Sequence, residues 1–418
     1  MTKQFIIAAL TLPLAVSAAY AQDSQIFPPV TISGYGTLAV TQTNSDAAQF
    51  IRPNQSAGAT KSARTGVDSN FGVQANSTLN SWLSATVQGL VRKDGEDDFG
   101  AELAWAFLKA KVNDKLSLRV GRMGLPVFLI SDYRNVGYAN TMLRPPAEVY
   151  TQVPLNSFDG IDATWQESVG NTSLSAQFGI GRTRNTIATS SSAIVHVDGS
   201  SLTALNLVAE NGPVTLRFGR ADGNLDLQDS TSLNSLLGGL RATGAGYGLT
   251  TLAPLADALS LKKKKASFTS VGATLDWKGL VVQSEYAKRK TDSYVNNTNS
   301  WYTMVGYRVG KFLPYYNHAD AKAVGRVSNT VPAACPPGYP AACTPTLRVL
   351  SAGVETLSAA ANQSTDTLGV RWDFAPSVAL KAQIDRVRPR DGVGLLIKAQ
   401  PGFSGPLTVG AVALDFVF

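Results

Sequence analysis

From residue 30 onward, hydrophobic and polar residues alternate with a period of two, the pattern of strands whose two faces meet different surroundings. Ile32, Gly34, Gly36, Leu38 and Val40 alternate with Thr31, Ser33, Tyr35, Thr37 and Thr41. Leu174, Ala176, Phe178 and Ile180 alternate with Ser173, Ser175, Gln177 and Gly179, and Leu368, Val370, Trp372 and Phe374 with Thr367, Gly369, Arg371 and Asp373. The pattern predicts strands near 30–42, 68–80, 82–93, 99–112, 115–123, 157–166, 171–182 and 200–210. In the second half it predicts 213–222, 265–277, 280–291, 300–310, 312–320, 364–374, 376–388 and 407–418, sixteen in all. After even-numbered strands come tight turns, among them Asn80–Ser81, Asn113–Asp114–Lys115, Asn211–Gly212 and Lys278–Gly279. After odd-numbered strands come longer loops, the longest being 43–67, 124–156, 223–264 and 321–363. A soluble sandwich has no reason to sort its connections by length, whereas a closed transmembrane antiparallel β-barrel has short turns on one side and long loops on the other.

In the last predicted strand Thr408, Gly410, Val412, Leu414, Phe416 and Phe418 share one face, which in a barrel looks toward lipid. Val409, Ala411, Ala413, Asp415 and Val417 look inward. This ending resembles the terminal strand of bacterial outer-membrane barrels, whose final Phe is recognised by the barrel-assembly machinery. With sixteen strands, the mature chain resembles the Gram-negative outer-membrane porins over its whole length. The resemblance implies short periplasmic turns, long extracellular loops, a homotrimer and passive diffusion of small hydrophilic solutes. Closure itself follows from physics: in hydrocarbon every backbone polar group needs a partner, and an open sheet leaves two edges without one. A barrel of sixteen strands is too wide for its own side chains to fill, so water is expected in the lumen. Trp301, Tyr307, Trp372, Phe374, Phe416 and Phe418 are candidates for interfacial aromatic girdles.

Porins of this size fold their third extracellular loop into the barrel. That loop is Gly124 to Asn156 in this chain, and Leu125-Pro126-Val127-Phe128-Leu129-Ile130 makes it unusually apolar. Exposed, such a run would be costly, so packing on the inner wall is expected. Asp132, Arg134, Arg144 and Glu148 are then the candidate constriction charges, or else salt bridges that hold the loop. The Pro-Glu-Phe-Gly-Gly-type motif of enterobacterial general porins is absent, so none of their eyelet residues transfers. Strand phase points Lys109, Lys111, Arg119, Arg217, Arg308, Arg371 and Lys381 inward, against Glu285, Asp373, Asp385 and Asp415. A surplus of inward bases biases a lumen toward anions. The run Lys262–Lys265 either adds to that steering or meets lipopolysaccharide phosphates.

Composition agrees. Charged residues make up 16% of the 418, well below the roughly 25% of soluble domains. No stretch of about 20 apolar residues follows the N-terminal segment, which excludes a helical bundle in the membrane. Lys3, the apolar stretch Phe5–Val16 and Ala19–Tyr20–Ala21 form the pattern of a signal peptide (1–21) cleaved after Ala21, leaving a single barrel domain over 22–418 in the outer membrane. Cys335 and Cys343 sit in a Pro-rich loop, where an oxidising compartment favours a local disulfide. Leu233, Leu236, Leu237 and Leu240 recur at helical spacing in the fifth loop and predict a short surface helix packed on its neighbours.

His196 and His318 are the only histidines, and neither stands in a nucleophile–base motif, so no enzyme is expected. No metal, cofactor or nucleic-acid partner is expected either; the partners are lipid, lipopolysaccharide, the assembly machinery and small solutes or anions. Two other readings remain, a substrate-selective channel with a binding lumen, and a plugged barrel serving as receptor or adhesin through its long loops.

Overall fold

The structure, a computed structural model, describes residues 28–188, 194–225 and 230–418. The expected signal peptide lies outside the described residues. Sixteen strands follow one another antiparallel and close into one barrel, β1 pairing with both β2 and β16. They are β1 Val30–Thr43, β2 Asn70–Thr78, β3 Leu83–Lys93, β4 Phe99–Lys111, β5 Leu116–Gly124, β6 Ser157–Val169, β7 Thr172–Ala188 and β8 Ile194–Asn211. The second half holds β9 Val214–Leu225, β10 Lys264–Trp277, β11 Leu280–Thr291, β12 Asn297–Tyr307, β13 Phe312–Gly325, β14 Asn362–Ala375, β15 Val378–Arg390 and β16 Leu407–Val417. No helix among the described residues is long and apolar enough to cross a membrane.

Each strand exists because its alternation satisfies two environments at once. Ile161, Ile180, Leu216, Val271, Leu368 and Ile384 point away from the barrel axis and are half or more exposed, so the outer wall is apolar without being covered. Their alternates point inward. Short turns hold the register at one end: Lys278 and Gly279, at φ 49° and 90°, join Trp277 to Leu280, the left-handed pair that matches strand twist in a two-residue hairpin.

Two expectations shift. β12 ends at Tyr307, so Arg308 belongs to a turn rather than a strand. In β4 a bulge opposite Gln88 and Gly89 leaves Ala104 without a partner. The bulge reverses the phase of the strand: Phe99 and Leu103 face outward on one side of it, Leu108 on the other. Ala104 borders an interior cavity with Gln88 and Trp105.

The long loops carry structure. α1 Ala147–Tyr150 lies in the third loop, α2 Thr231–Gly246 and α3 Leu252–Leu259 in the fifth, and α4 Cys343–Leu357 in the seventh. α2 forms where the leucine spacing predicted it, capped by the Ser230 hydroxyl accepting from the Leu233 N–H. Leu233, Leu237, Leu240, Leu252, Leu259, Leu347 and Val354 pack these helices into one apolar cluster with Val197 of β8. Cys335 and Cys343 are bonded at the start of α4, their Cα atoms 6.1 Å apart.

Candidate pore constriction

The third loop leaves β5 at Gly124 and lies inside the barrel. Its apolar run forms a dry core with the inner wall: Val127, Phe128, Leu129 and Ile130 are buried with Phe268, Tyr302, Met304 and Tyr315. Phe128 stacks on Tyr150 at 4.7 Å and meets the edge of Phe268 at 4.9 Å. The chain comes so close to the wall that a Cβ at Gly219 would sit 2.3 Å from the Val127 carbonyl oxygen. Burying a loop obliges its backbone to find partners, and the wall supplies them. Ser270 Oγ donates to Val127 O at 2.6 Å, and Leu129 N–H donates to Glu285 Oε1 at 2.9 Å.

Several candidate residues turn out to be these fasteners. Arg217 donates to Leu129 O at 3.1 Å and pairs with Asp132 at 2.8 Å. Arg371 donates to the carbonyls of Tyr138 and Asn140 at 2.6 and 3.0 Å while pairing with Asp373 at 2.7 Å. Lys381, wholly buried, donates to Gly137 O at 2.7 Å and Asn140 O at 2.6 Å and lies 2.9 Å from Asp415. Arg144 is 5% exposed, 3.0 Å from Asp68 and 3.3 Å from Asp385, over the Phe50 ring. Glu148 is 1% exposed and accepts from Gln363 Nε2 at 2.8 Å and from the Thr365 hydroxyl. Burial pushes the Glu148 carboxyl above the usual range, against those hydrogen bonds. Asp132 remains exposed, and Arg134 donates to Leu155 O at 3.2 Å and to Asn156.

The remaining inward bases lie elsewhere. Arg119 makes a two-pronged pair with buried Asp162, Nε to Oδ1 at 2.9 Å, and covers the Phe107 ring. Lys111 pairs with Asp114 at the short-turn end; Lys109 is exposed nearby and makes no ion pair among the described residues. Arg308 pairs with Asp276 at 2.8 Å at that same rim, not along the lumen. The expected surplus of seven inward bases over four acids is therefore largely neutralised: Asp162, Asp132 and Asp276 are partners that strand phase on one side did not count.

A further cluster of cations sits at a place that strand phase largely passed over. A cavity with about 50 Å³ of solvent-sized space opens between the first loop, the third loop and β2–β3. Arg52, Arg92, Lys93, Arg134 and Arg144 line it, against the single carboxylate of Asp68. Arg92 also pairs with Glu102 at 2.9 Å, and Lys93 with Asp97 at 3.5 Å. Arg52 reaches Asp68 only at 3.9 Å. Desolvation lowers the Arg134 guanidinium to about 10, the mark of a cation held without a close carboxylate. Arg92 is in phase with inward Leu90 and Gln88, a signal present in the sequence; Arg52 stands in a loop, where periodicity is silent. Ring contacts of Trp372, Phe374, Phe416 and Phe418 occur near the short turns, where Tyr307 also stands exposed, whereas Trp301 lies higher, 5.3 Å from His318.

Comparison with solved structures finds the same architecture. The anion-selective porin of Comamonas acidovorans is 14% identical with a TM-score of 0.54, covering 94% of this chain and all of that one. The trimer form of OmpT, an outer membrane protein of Vibrio cholerae, is 13% identical with a TM-score of 0.53, covering 93% of this chain and 99% of that one. OmpF of Salmonella typhi, in complex with daunomycin, is 11% identical with a TM-score of 0.52, covering 94% and 98%. No protein-family model and no curated protein matches the sequence. At such identities the likeness is one of fold: a closed barrel of sixteen strands built as in outer-membrane porins.

Proposed function

We propose that this chain is an outer-membrane porin, a channel for passive diffusion of small hydrophilic solutes with a preference for anions. The observation that carries the reading is the cavity beside the inward-folded third loop, lined by five cations and one carboxylate. Unlike Arg217, Arg371 and Lys381, Arg134 makes no ion pair among the described residues and Arg52 reaches Asp68 only at 3.9 Å, which leaves their field for whatever crosses. Fields of one sign in a low-dielectric passage concentrate the opposite ion. The outward apolar wall supports a membrane setting, and the porin-type fold supports a non-enzymatic channel. His318 supports it too: it faces away from the lumen, its Nδ1 2.7 Å from Asp366. A homotrimer is part of the proposal, supported by the apolar outer faces of β16 and β1–β4; insertion by the assembly machinery would read Phe418.

The test is reconstitution in a planar bilayer under a KCl gradient. Open-pore steps with a reversal potential on the chloride side are expected. Steps without chloride preference would sink the anion assignment, and a silent bilayer would sink the channel in favour of a plugged receptor or adhesin barrel.

A further inference from the structure

The inward side chains of β2–β6 fall into rows set by the strand register. Gln74, Gln88 and Trp105 lie side by side across β2, β3 and β4. Two residues nearer the short turns come Asn76, Thr86 and Phe107. Next are Ser84, Lys109, Arg119 and Asp162, across β3 to β6. Apart from Gln88 and Asp162 these side chains are half-buried or exposed, so the rows border the solvent of the lumen. The bulge at Ala104 brings them together. Leu103 faces outward, and without the extra residue Trp105 and Phe107 would follow it toward lipid; the bulge re-aims both into the barrel.

Three kinds of group in these rows keep bonding capacity for a solute. Gln88 Nε2 donates to Gln74 Oε1 at 2.9 Å, Gln74 Nε2 to Asn76 Oδ1 at 3.2 Å, and the Thr86 hydroxyl to the same Asn76 oxygen at 2.9 Å. That chain of amides leaves the Gln88 oxygen and the Asn76 nitrogen outside it. Arg119 covers the Phe107 ring at 5.0 Å and is held by Asp162, so Trp105 is the open aromatic plate of the wall. Lys109 is exposed and makes no ion pair among the described residues. A pyranose ring sets a face of C–H groups on an indole, and its hydroxyls both donate and accept, as amides do. A carboxylate on that ring gives Lys109 a charge-assisted partner. An inorganic ion would use only the lysine, and a neutral sugar would leave it idle.

We infer that the inner wall of β2–β4 is a binding station for a sugar acid, a pyranose that carries a carboxylate, on its way through the barrel. Trp105 lies under the ring, Gln88, Thr86 and Asn76 take its hydroxyls, and Lys109 takes its carboxylate. Lys109 stands four residues from Trp105 along β4, about 13 Å at strand rise, a span that the ring, its carboxylate and an extended lysine cover together. The inference rests on the channel reading of the proposed function and names a solute class for it. The station lies on the barrel wall toward the short turns and does not use the Arg52 and Arg134 cavity.

The experiment records single open channels of the full folded chain in a planar bilayer in KCl, with millimolar glucuronate added as the probe. Brief interruptions of the current that grow more frequent with glucuronate are expected from the native chain. Their apparent affinity should fall about tenfold in Trp105→Ala and by a similar factor in Lys109→Gln, and should persist in Trp105→Phe and Lys109→Arg. If Trp105→Ala yields no folded barrel, Lys109→Gln decides alone, because that side chain is exposed and unpaired. Glucose interrupting the current as well as glucuronate overturns the acid assignment. Benzoate acting where glucuronate does not overturns the sugar. Interruptions that both variants leave unchanged place the station elsewhere and overturn it too. Open steps that glucuronate never interrupts sink the inference and keep the porin, whereas a silent bilayer sinks the channel and the inference with it.

Discussion

The inward faces of β9–β16 and of β2–β4 begin from the same alternation of side chains and end in opposite states. Along β9–β16 the third loop is laid against the wall and its fastening charges are paired: Arg217 by Asp132 and Leu129, Lys381 by Asp415 and two loop carbonyls. Along β2–β4 the wall is amide and hydroxyl. Gln88 donates to Gln74 at 2.9 Å and Thr86 to Asn76 at 2.9 Å, and Arg52 and Arg134 border a cavity whose one lining carboxylate is Asp68. One side holds the third loop in place; the other borders an open cavity. A buried charge must be matched because its desolvation is expensive, whereas a cation beside water can keep its field. Inward-pointing charge is therefore a poor guide to pore chemistry until its partners are known.

The largest effect should come from the dry side. Lys381→Met leaves Asp415 buried without a cation and should cost about 4 kcal/mol, the scale of breaking a buried pair. It is read as a fall in the temperature at which the folded barrel converts to its unfolded electrophoretic form. Adding Asp415→Leu should restore most of the loss, and an unaltered transition in the single variant would contradict the clamp. Phe128→Ala comes next, at about 3 kcal/mol for an aromatic removed from a packed site. Noisier open-channel currents should accompany it, as the loop loosens from Tyr150 and Phe268; quiet currents would mean that the loop is held without this core.

Changes on the cavity side should act mainly on selectivity. Arg52→Ala with Arg134→Ala should shift the reversal potential toward potassium, at a smaller cost in stability than Lys381→Met. The same potential in the double variant would remove the cavity from the ion path.

The smallest effect concerns the tie between the first loop and the β3–β4 connection. Burial raises the Asp97 carboxyl, but the Arg64 hydrogen bonds and the charges of Arg64 and Lys93 outweigh it and hold it below the usual range. A depressed carboxyl contributes stability above its unfolded value of about 3.9, and that contribution is lost as pH falls through the lower folded value. Current flicker should therefore rise below about pH 4 in the native chain and stay flat with pH in Asp97→Asn. Parallel profiles would place the acid sensitivity elsewhere.

Much of the fold was legible because strand formation here is decided locally. Alternation states which residues face outward, and Asn, Gly and Lys–Gly turns state where the chain reverses. Even the third loop announced its burial, since Leu125–Ile130 has no stable home in water. The site was harder. Arg119, Arg371 and Lys381 carry an inward phase in the sequence, yet their partners lie on neighbouring strands or on a loop more than two hundred residues away in sequence. The Ala104 bulge hid the placement of Glu102, and Arg52 had no period to betray it.

By itself, then, the sequence determined the number of strands, their order, the sorting of turns from loops and the apolar outer wall, because each depends on neighbours a few residues apart. Which charges are neutral clamps and which are left unpaired was decided only by tertiary structure. Pairing requires two groups to be brought within a few ångströms across strands and loops, and desolvation makes that distance decide whether a cation fastens the fold or faces the passage.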